Sequence, residues 1–310
     1  MSTASTIGEI LADRATRDPD AAAIVCSRLE SLSFGDLARH IQQIAAQFRM
    51  AGIGTASRVG VALPRGPEAA LLSIAVCCTA ILVPLNPNLP SAELQVELKW
   101  LRLDALIVPD DPCLPVWVSA AGDTFGLFTV TKAASCFEDV ALQQLRAVCR
   151  PRSASPATAQ SWAAIFRTSG TTGTFKRVPV THENLLAMTN KMGRWLKLTP
   201  ADRSACILPI FYNAGFKATL LVPLLSGCSV ALPESTGPHD FERWSSELRP
   251  TWLTAAPAFL QAVVEKLRGR PGGALASSFA PSLRFVLSTA SYLPPATSAE
   301  LERHARPAGR

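Results

Sequence analysis

The stretch Thr168-Ser169-Gly170-Thr171-Thr172-Gly173-Thr174-Phe175-Lys176 places two glycines, five hydroxyl side chains and one lysine in nine consecutive residues. Such a segment suits phosphate oxygens. Glycines let the backbone turn its N–H groups inward, hydroxyls add short donors, and the lysine brings a mobile positive charge. The apolar run Trp162-Ala163-Ala164-Ile165-Phe166 ahead of it predicts a buried strand. Arg177-Val178-Pro179-Val180 predicts a second short strand, and Thr181 stands where it can cap a helix beginning near Glu183. The order is strand, loop, strand, helix. A Walker phosphate loop carries Gly-Lys-Ser/Thr in succession and enters its helix at once. Neither feature is present here, which argues against a P-loop nucleotidase. On composition alone, a polar hairpin turn remains the other reading of the segment.

Working outward, Leu37, Ile41, Ile44, Ala45 and Phe48 recur at helical spacing, with Gly52 as the stop. Val59 to Leu63 predicts a strand, and a Pro-Arg-Gly-Pro turn (64–67) opens a helix from Glu68 to about Ala80. Ile81 to Leu85 is a second strand, Ser91 caps a helix to Leu101, and Ala105 to Val108 is a third strand. Residues 110–150 give no firm pattern, and the Pro-, Ser- and Ala-rich stretch from Arg150 to Ser161 predicts a connecting loop. The rhythm then resumes. Strands are predicted at Cys206–Leu208, Ser229–Leu232, Trp252–Thr254 and Arg284–Leu287, with helices at about 215–226, 240–249 and 257–268. Strands alternating with helices of this length imply right-handed crossovers and a parallel sheet, that is, an α/β fold. Ligands of such sheets bind beyond the carboxyl ends of the strands, which makes candidate ligand loops of residues 209–213 and 288–291.

Composition bounds the function. The chain has 310 residues, 48% of them apolar and 17% charged, enough for a large core and too apolar for disorder. The net charge of +6 comes from scattered basic residues with no nucleic-acid motif, so no nucleic-acid partner is expected. The eight cysteines form no C-x-x-C pair, and His40, His182, His239 and His304 show no metal-ligand spacing. Free thiols and the absence of a signal-peptide pattern after Met1 point to a cytoplasmic protein. Ala69 to Leu85 is the most apolar run; it is short for a membrane span and has Pro84 near its end, which predicts a buried helix feeding a strand.

The string Thr168 to Lys176 resembles the phosphate-binding signature Thr-Ser-Gly-Thr-Thr-Gly-x-x-Lys of the adenylate-forming superfamily, with Phe175 and Arg177 where that signature usually has proline and glycine. The superfamily includes acyl-CoA synthetases and the adenylation domains of nonribosomal peptide synthetases. The resemblance extends over nearly the whole chain. Leu208-Pro209-Ile210-Phe211-Tyr212-Asn213-Ala214-Gly215 is similar to Leu-Pro-x-Phe-His-x-x-Gly, the loop that walls the acyl pocket. Ser288-Thr289-Ala290-Ser291-Tyr292-Leu293-Pro294 resembles the adenine loop, with Thr289 and Tyr292 where glycine and proline are usual. Val83-Pro84-Leu85-Asn86-Pro87 and Thr181-His182-Glu183-Asn184-Leu185 match two further family segments, and His182 is read as structural.

The resemblance implies stacked parallel sheets with flanking helices (αβαβα), as in the large N-terminal domain of these enzymes. It divides the chain into a first α/β part, 1–155, and a phosphate-loop hairpin with a second α/β part, 156–310. It also implies attack of a substrate carboxylate on the α-phosphate of ATP, giving an acyl-adenylate and pyrophosphate, then transfer to the thiol of coenzyme A or a carrier phosphopantetheine. Thr168 and Lys176 are the implied catalytic residues. Thr168, Ser169, Gly170, Thr171, Thr172, Gly173 and Lys176 would bind ATP with its Mg2+, Ser288, Thr289, Ala290 and Ser291 would border the adenine, and Phe211, Tyr212, Asn213 and Gly215 would line the acid pocket. The Tyr-Gly-x-Thr-Glu segment that carries the family's magnesium ligand, and the C-terminal domain with its catalytic lysine, do not follow Leu301. The expectation is therefore a truncated chain, inactive alone, or a half-enzyme completed by a separate C-terminal chain, or a non-catalytic nucleotide- or acyl-binding module.

Overall fold

Strand alternation explains how this chain buries so much apolar surface. The computed structural model describes residues 5–27, 29–111, 114–122, 124–149, 155–168, 176–268 and 282–305. Helix α1 (Ile7–Arg17) leads to β1 (Ala22–Cys26), β2 (Leu32–Ser33), α2 (Phe34–Met50), β3 (Arg58–Val61), α3 (Pro67–Thr79) and β4 (Ile81–Pro84). Then come α4 (Ser91–Leu101), β5 (Ala105–Pro109), α5 (Leu114–Ala121), β6 (Gly126–Val130), β7 (Leu142–Arg146) and the hairpin β8 (Trp162–Thr168) and β9 (Lys176–Thr181). Helix α6 (His182–Trp195), β10 (Arg203–Ala205), a π-helical segment (Gly215–Leu221), α7 (Val222–Leu225) and β11 (Ser229–Leu232) follow. The last elements are α8 (Phe241–Leu248), β12 (Trp252–Ala255), α9 (Pro257–Arg268), β13 (Phe285–Ser288) and α10 (Pro295–Ala305).

The strands form two sheets, one ordered β13-β12-β10-β11-β1-β2 and the other β7-β6-β5-β3-β4-β8-β9. Their interiors are parallel, and β2, β7 and β9 add antiparallel edges. Strands β1 and β2, from early in the chain, complete the sheet built by later strands, whereas β8 and β9 complete the sheet built by earlier ones.

Successive strand residues face opposite layers. Val59, Val61, Ala105 and Ile107 face a central core shared with α1, α2, α3 and α6, while Leu106 and Val108 face an outer core under α4 and α5. In the other sheet Cys206, Val230 and Leu232 face the central core, and Ala205, Ala231, Leu253 and Ala255 face an outer core with α8, α9 and α10. The result is the expected αβαβα layering. A sheet covered on both faces favours strands apolar throughout, as β4 and β5 are. Helix α3 lies in the middle layer with every residue from Ala69 to Cys77 buried, which is why its stretch reads as apolar all round. Among the described residues no helix is long and apolar enough to cross a membrane.

Several expected boundaries hold: α3, β4, α4 and β11 fall within a residue or so of their predicted ends, and Gly52 stops α2 with φ +76°. Three details are corrected. Helix α4 begins at Ser91, with Pro90 in the capping position and no side-chain cap bond, since the proline ring carries no acceptor for the first free N–H groups. The ladder predicted at Cys206–Leu208 is β10 at Arg203–Ala205; only Cys206 N continues it, donating to Ala231 O at 2.9 Å, before Pro209 ends the run. The helix expected over 215–226 starts as a π-helix. Pro223 has no N–H to give the Thr219 carbonyl, and Val222 N donates instead to Lys217 O, five residues back.

Candidate active site

Parallel pairing brings the carboxyl ends of the inner strands to one edge of each sheet, and the two edges face each other. Arg65, just after β3, donates from Nη1 to Cys206 O (3.4 Å) and from Nη2 to Glu234 O (3.1 Å), tying the loops after β10 and β11 to the other sheet. Burial pushes the Arg65 guanidinium pKa down. Beside it a cleft of about 380 Å³ is lined by Cys26, Arg65, Glu68, Asp110, Lys132 and Glu234 among others. None of the residues predicted for the site lines it, and its mixed charges favour no single ligand. The candidate site lies further along the same edge, beyond β8, β10 and β13.

Its first wall is the β8–β9 hairpin. Thr168 and Lys176 are register partners at the open end, and Thr168 Oγ1 donates to Lys176 O at 3.4 Å. The Lys176 side chain is exposed. Ser169, Gly170, Thr171, Thr172 and Gly173 lie outside the described residues, as do Thr174 and Phe175. Behind the hairpin end, Arg167 pairs with Glu97 at 2.8 Å. At its other end Thr181 caps α6 in a reciprocal box with Asn184, as the hydroxyl predicts. The next residue, His182, is buried and accepts from Ile7 N at Nδ1 (3.3 Å); burial lowers its pKa to about 4. It holds α1 to α6.

The second wall is the loop 209–215. A Cβ on Gly215 would lie 2.0 Å from Pro209 O, so only glycine lets this loop close. The Phe211 and Tyr212 rings meet at a tilt with centroids 4.5 Å apart, and both Tyr212 and Asn213 are exposed. The π-helical segment that follows reaches the hairpin: Phe216 meets Phe166 at 5.8 Å, and Lys217 Nζ lies 4.8 Å from the Phe166 ring centroid. Lys217 and Arg65 carry no mark in the motifs. The available signals were a lysine in the apolar run 214–221 and an arginine in a Pro-Arg-Gly-Pro turn.

The third wall is the loop after β13. Thr289 N donates to Ala255 O (3.0 Å), Ser288, Ala290 and Ser291 are exposed, and Ala290 has φ +77°, a left-handed value rare outside glycine. Below this loop Asp202 accepts from Thr199 N and Thr251 Oγ1 (2.9 and 2.7 Å) and from Arg284. Burial raises its pKa, but these bonds outweigh it and hold the carboxyl below its ordinary value, fixing the starts of β10, β12 and β13. Among the described residues no group of His, Cys, Asp or Glu has the arrangement of a metal site.

A model of the AMP-binding enzyme family matches residues 11–308. The chain belongs to that family. Among curated proteins it is 29% identical over 298 residues to the sulfoacetate–CoA ligase of Cupriavidus necator, covering 94% of this chain and 55% of that protein. It is 26% identical over 332 residues to the oxalate–CoA ligase of Saccharomyces cerevisiae, covering 98% and 60%. The chain thus spans about half the length of the curated relatives it matches. Among solved structures, apo MatB from Rhodopseudomonas palustris superposes with a TM-score of 0.80 at 19% identity, over 96% of this chain and 57% of that one, a likeness of fold.

Proposed function

We propose that this chain carries the nucleotide- and acid-binding part of an ATP-dependent acid–thiol ligase of the acyl-CoA synthetase type. One observation supports the reading: the hairpin end at Thr168 and Lys176 is joined to the segment after loop 209–215 through Phe166, Phe216 and Lys217, and the loop 288–291 follows the carboxyl end of β13 in the other sheet. A substrate carboxylate is already a nucleophile, so no Ser-His-Asp arrangement is needed. The protein must align carboxylate and α-phosphate and offset the charge building on the leaving pyrophosphate. Lys176 fits that task by position, with Thr168 as a donor beside it. The glycines and hydroxyls of 169–173 are proposed to wrap the phosphates with backbone N–H groups, and Ser288 to Ser291 to border the adenine. Mg2+ arriving with ATP would screen the phosphate charge. In the second half-reaction a thiol, of coenzyme A or of a carrier phosphopantetheine, attacks the acyl carbon and AMP leaves.

The relatives' names support the acid. Sulfoacetate and oxalate are small carboxylic acids, and each carries a second anionic group. Phe211, Tyr212, Asn213 and Gly215 are the proposed acid-side wall. A second reading, binding without turnover, draws on Thr289 and Tyr292, two larger side chains at positions where the family pattern has glycine and proline.

A stable mimic of the intermediate tests the reading without requiring turnover. A 5′-O-(N-acylsulfamoyl)adenosine, which joins acid and nucleotide, should raise the melting temperature of the chain more than AMP or the free acid does. No shift at a saturating concentration would contradict an adenylate site.

A further inference from the structure

Lys217 is the cation that the reading above leaves unused. It stands two residues beyond Gly215, at the start of the π-helical segment, and its side chain is half-buried between that segment and β8. Its ammonium faces the ring of Phe166 at 4.8 Å, and burial lowers its pKa with no compensating charge. Among the described residues no carboxylate pairs with it. A lysine taken partly out of water against an aromatic face is a receptor for an anion, because an anion restores what desolvation removed. Its place defines the anion's range. Phe166 precedes Thr168 by two strand residues, about 7 Å along β8, and Thr168 marks the mouth of the phosphate hairpin. An acid whose reacting carboxylate meets the α-phosphate at that mouth has its far end within a few bonds of Lys217. π-Helical turns are frequent at functional sites.

We propose that Lys217 selects the substrate, binding the distal anionic group of a short doubly charged acid, a dicarboxylate or a sulfocarboxylate, whose other carboxylate is adenylated. The assignment rests on the adenylate-forming reading of the same site. Lys217 is a specificity-determining residue: it pairs with the group that does not react. A merely structural lysine, covering Phe166, would affect every acid alike.

The test compares two intermediate mimics of equal length, malonyl- and propanoyl-sulfamoyladenosine, by titration calorimetry on the 310-residue chain and on Lys217→Met and Lys217→Arg. The wild type should bind the malonyl compound about 10- to 100-fold more tightly, the range of one charge-assisted hydrogen bond. Lys217→Met should abolish that preference and leave propanoyl binding unchanged, and Lys217→Arg should keep most of it. The 15N signal of the Lys217 ammonium in the wild type should move with the malonyl compound and stay in place with the propanoyl one, a readout independent of any variant's folding. Equal binding of both compounds by the wild type, or a preference surviving in Lys217→Met, overturns the assignment while leaving the adenylate site standing. Failure of both compounds to bind removes the adenylate site and the assignment together.

Discussion

Gly215 and Ala290 show how closely backbone geometry governs this edge. The Gly215 Cα lies so near Pro209 that a methyl group would overlap its carbonyl, at 2.0 Å from the oxygen and 2.7 Å from the carbon. Both sides of that clash are backbone, so relief requires moving the loop that presents Phe211 and Tyr212. Gly215→Ala is accordingly expected to cost about 1–3 kcal/mol, as overpacking does. Urea unfolding should report it as a lower midpoint at unchanged slope, and an unshifted midpoint would mean that the loop is free to relax. The glycine was visible in the sequence as part of a motif, but its reason was not, because the partner atom belongs to a residue six positions earlier across a turn. Ala290 is the complementary case: a left-handed φ at a non-glycine residue leaves no trace in the letters.

At the scale of elements, capping and periodicity were readable where the signal is local. Thr181 with Asn184 and the glycine after α2 announce themselves within a few residues. Helix α1 carries an equally local sign, the Thr6/Glu9 capping box, which the α/β rhythm starting at residue 37 left unread. Strand β10 was displaced because Arg203 and Ser204 look like loop residues; their place in the sheet follows from parallel pairing with β11 and β12, which no local pattern reports. The joint between α1 and α6 is likewise long-range. His182 serves there as a neutral acceptor with a pKa of about 4 in the fold against 6.5 when free. The unfolded chain therefore takes up its proton first. The stability this group contributes is complete above pH 6.5 and falls away as the pH drops toward 4, by about 3 kcal/mol in all. Denaturant unfolding at pH 7.5 and pH 5 should show about 2 kcal/mol of that loss in the wild type and a smaller one in His182→Asn, whose amide oxygen accepts the same bond without titrating. Equal losses in the two proteins would assign the pH dependence elsewhere.

For the whole molecule, five layers and two sheets let loops far apart in the chain share one edge. Helix α3 fills the middle layer and holds the sheets at a fixed separation, and Arg65 ties their carboxyl edges together. The layered α/β class was legible because strands such as β4 and β5 are apolar from end to end and the crossovers between parallel neighbours are helical. That β1 would join the second sheet, and that the large cleft beside Arg65 would be lined by none of the motif residues, was not, since both depend on how the sheets stack. The central claim is that the hairpin ending in Thr168 and Lys176 receives the phosphates of ATP at this edge. The most direct measurement is a calorimetric titration of Mg·ATP into the chain and into Lys176→Ala. The account predicts saturable binding by the wild type and an affinity at least about 10-fold weaker in the variant, the loss expected for one charge-assisted hydrogen bond. Equal affinities would contradict it.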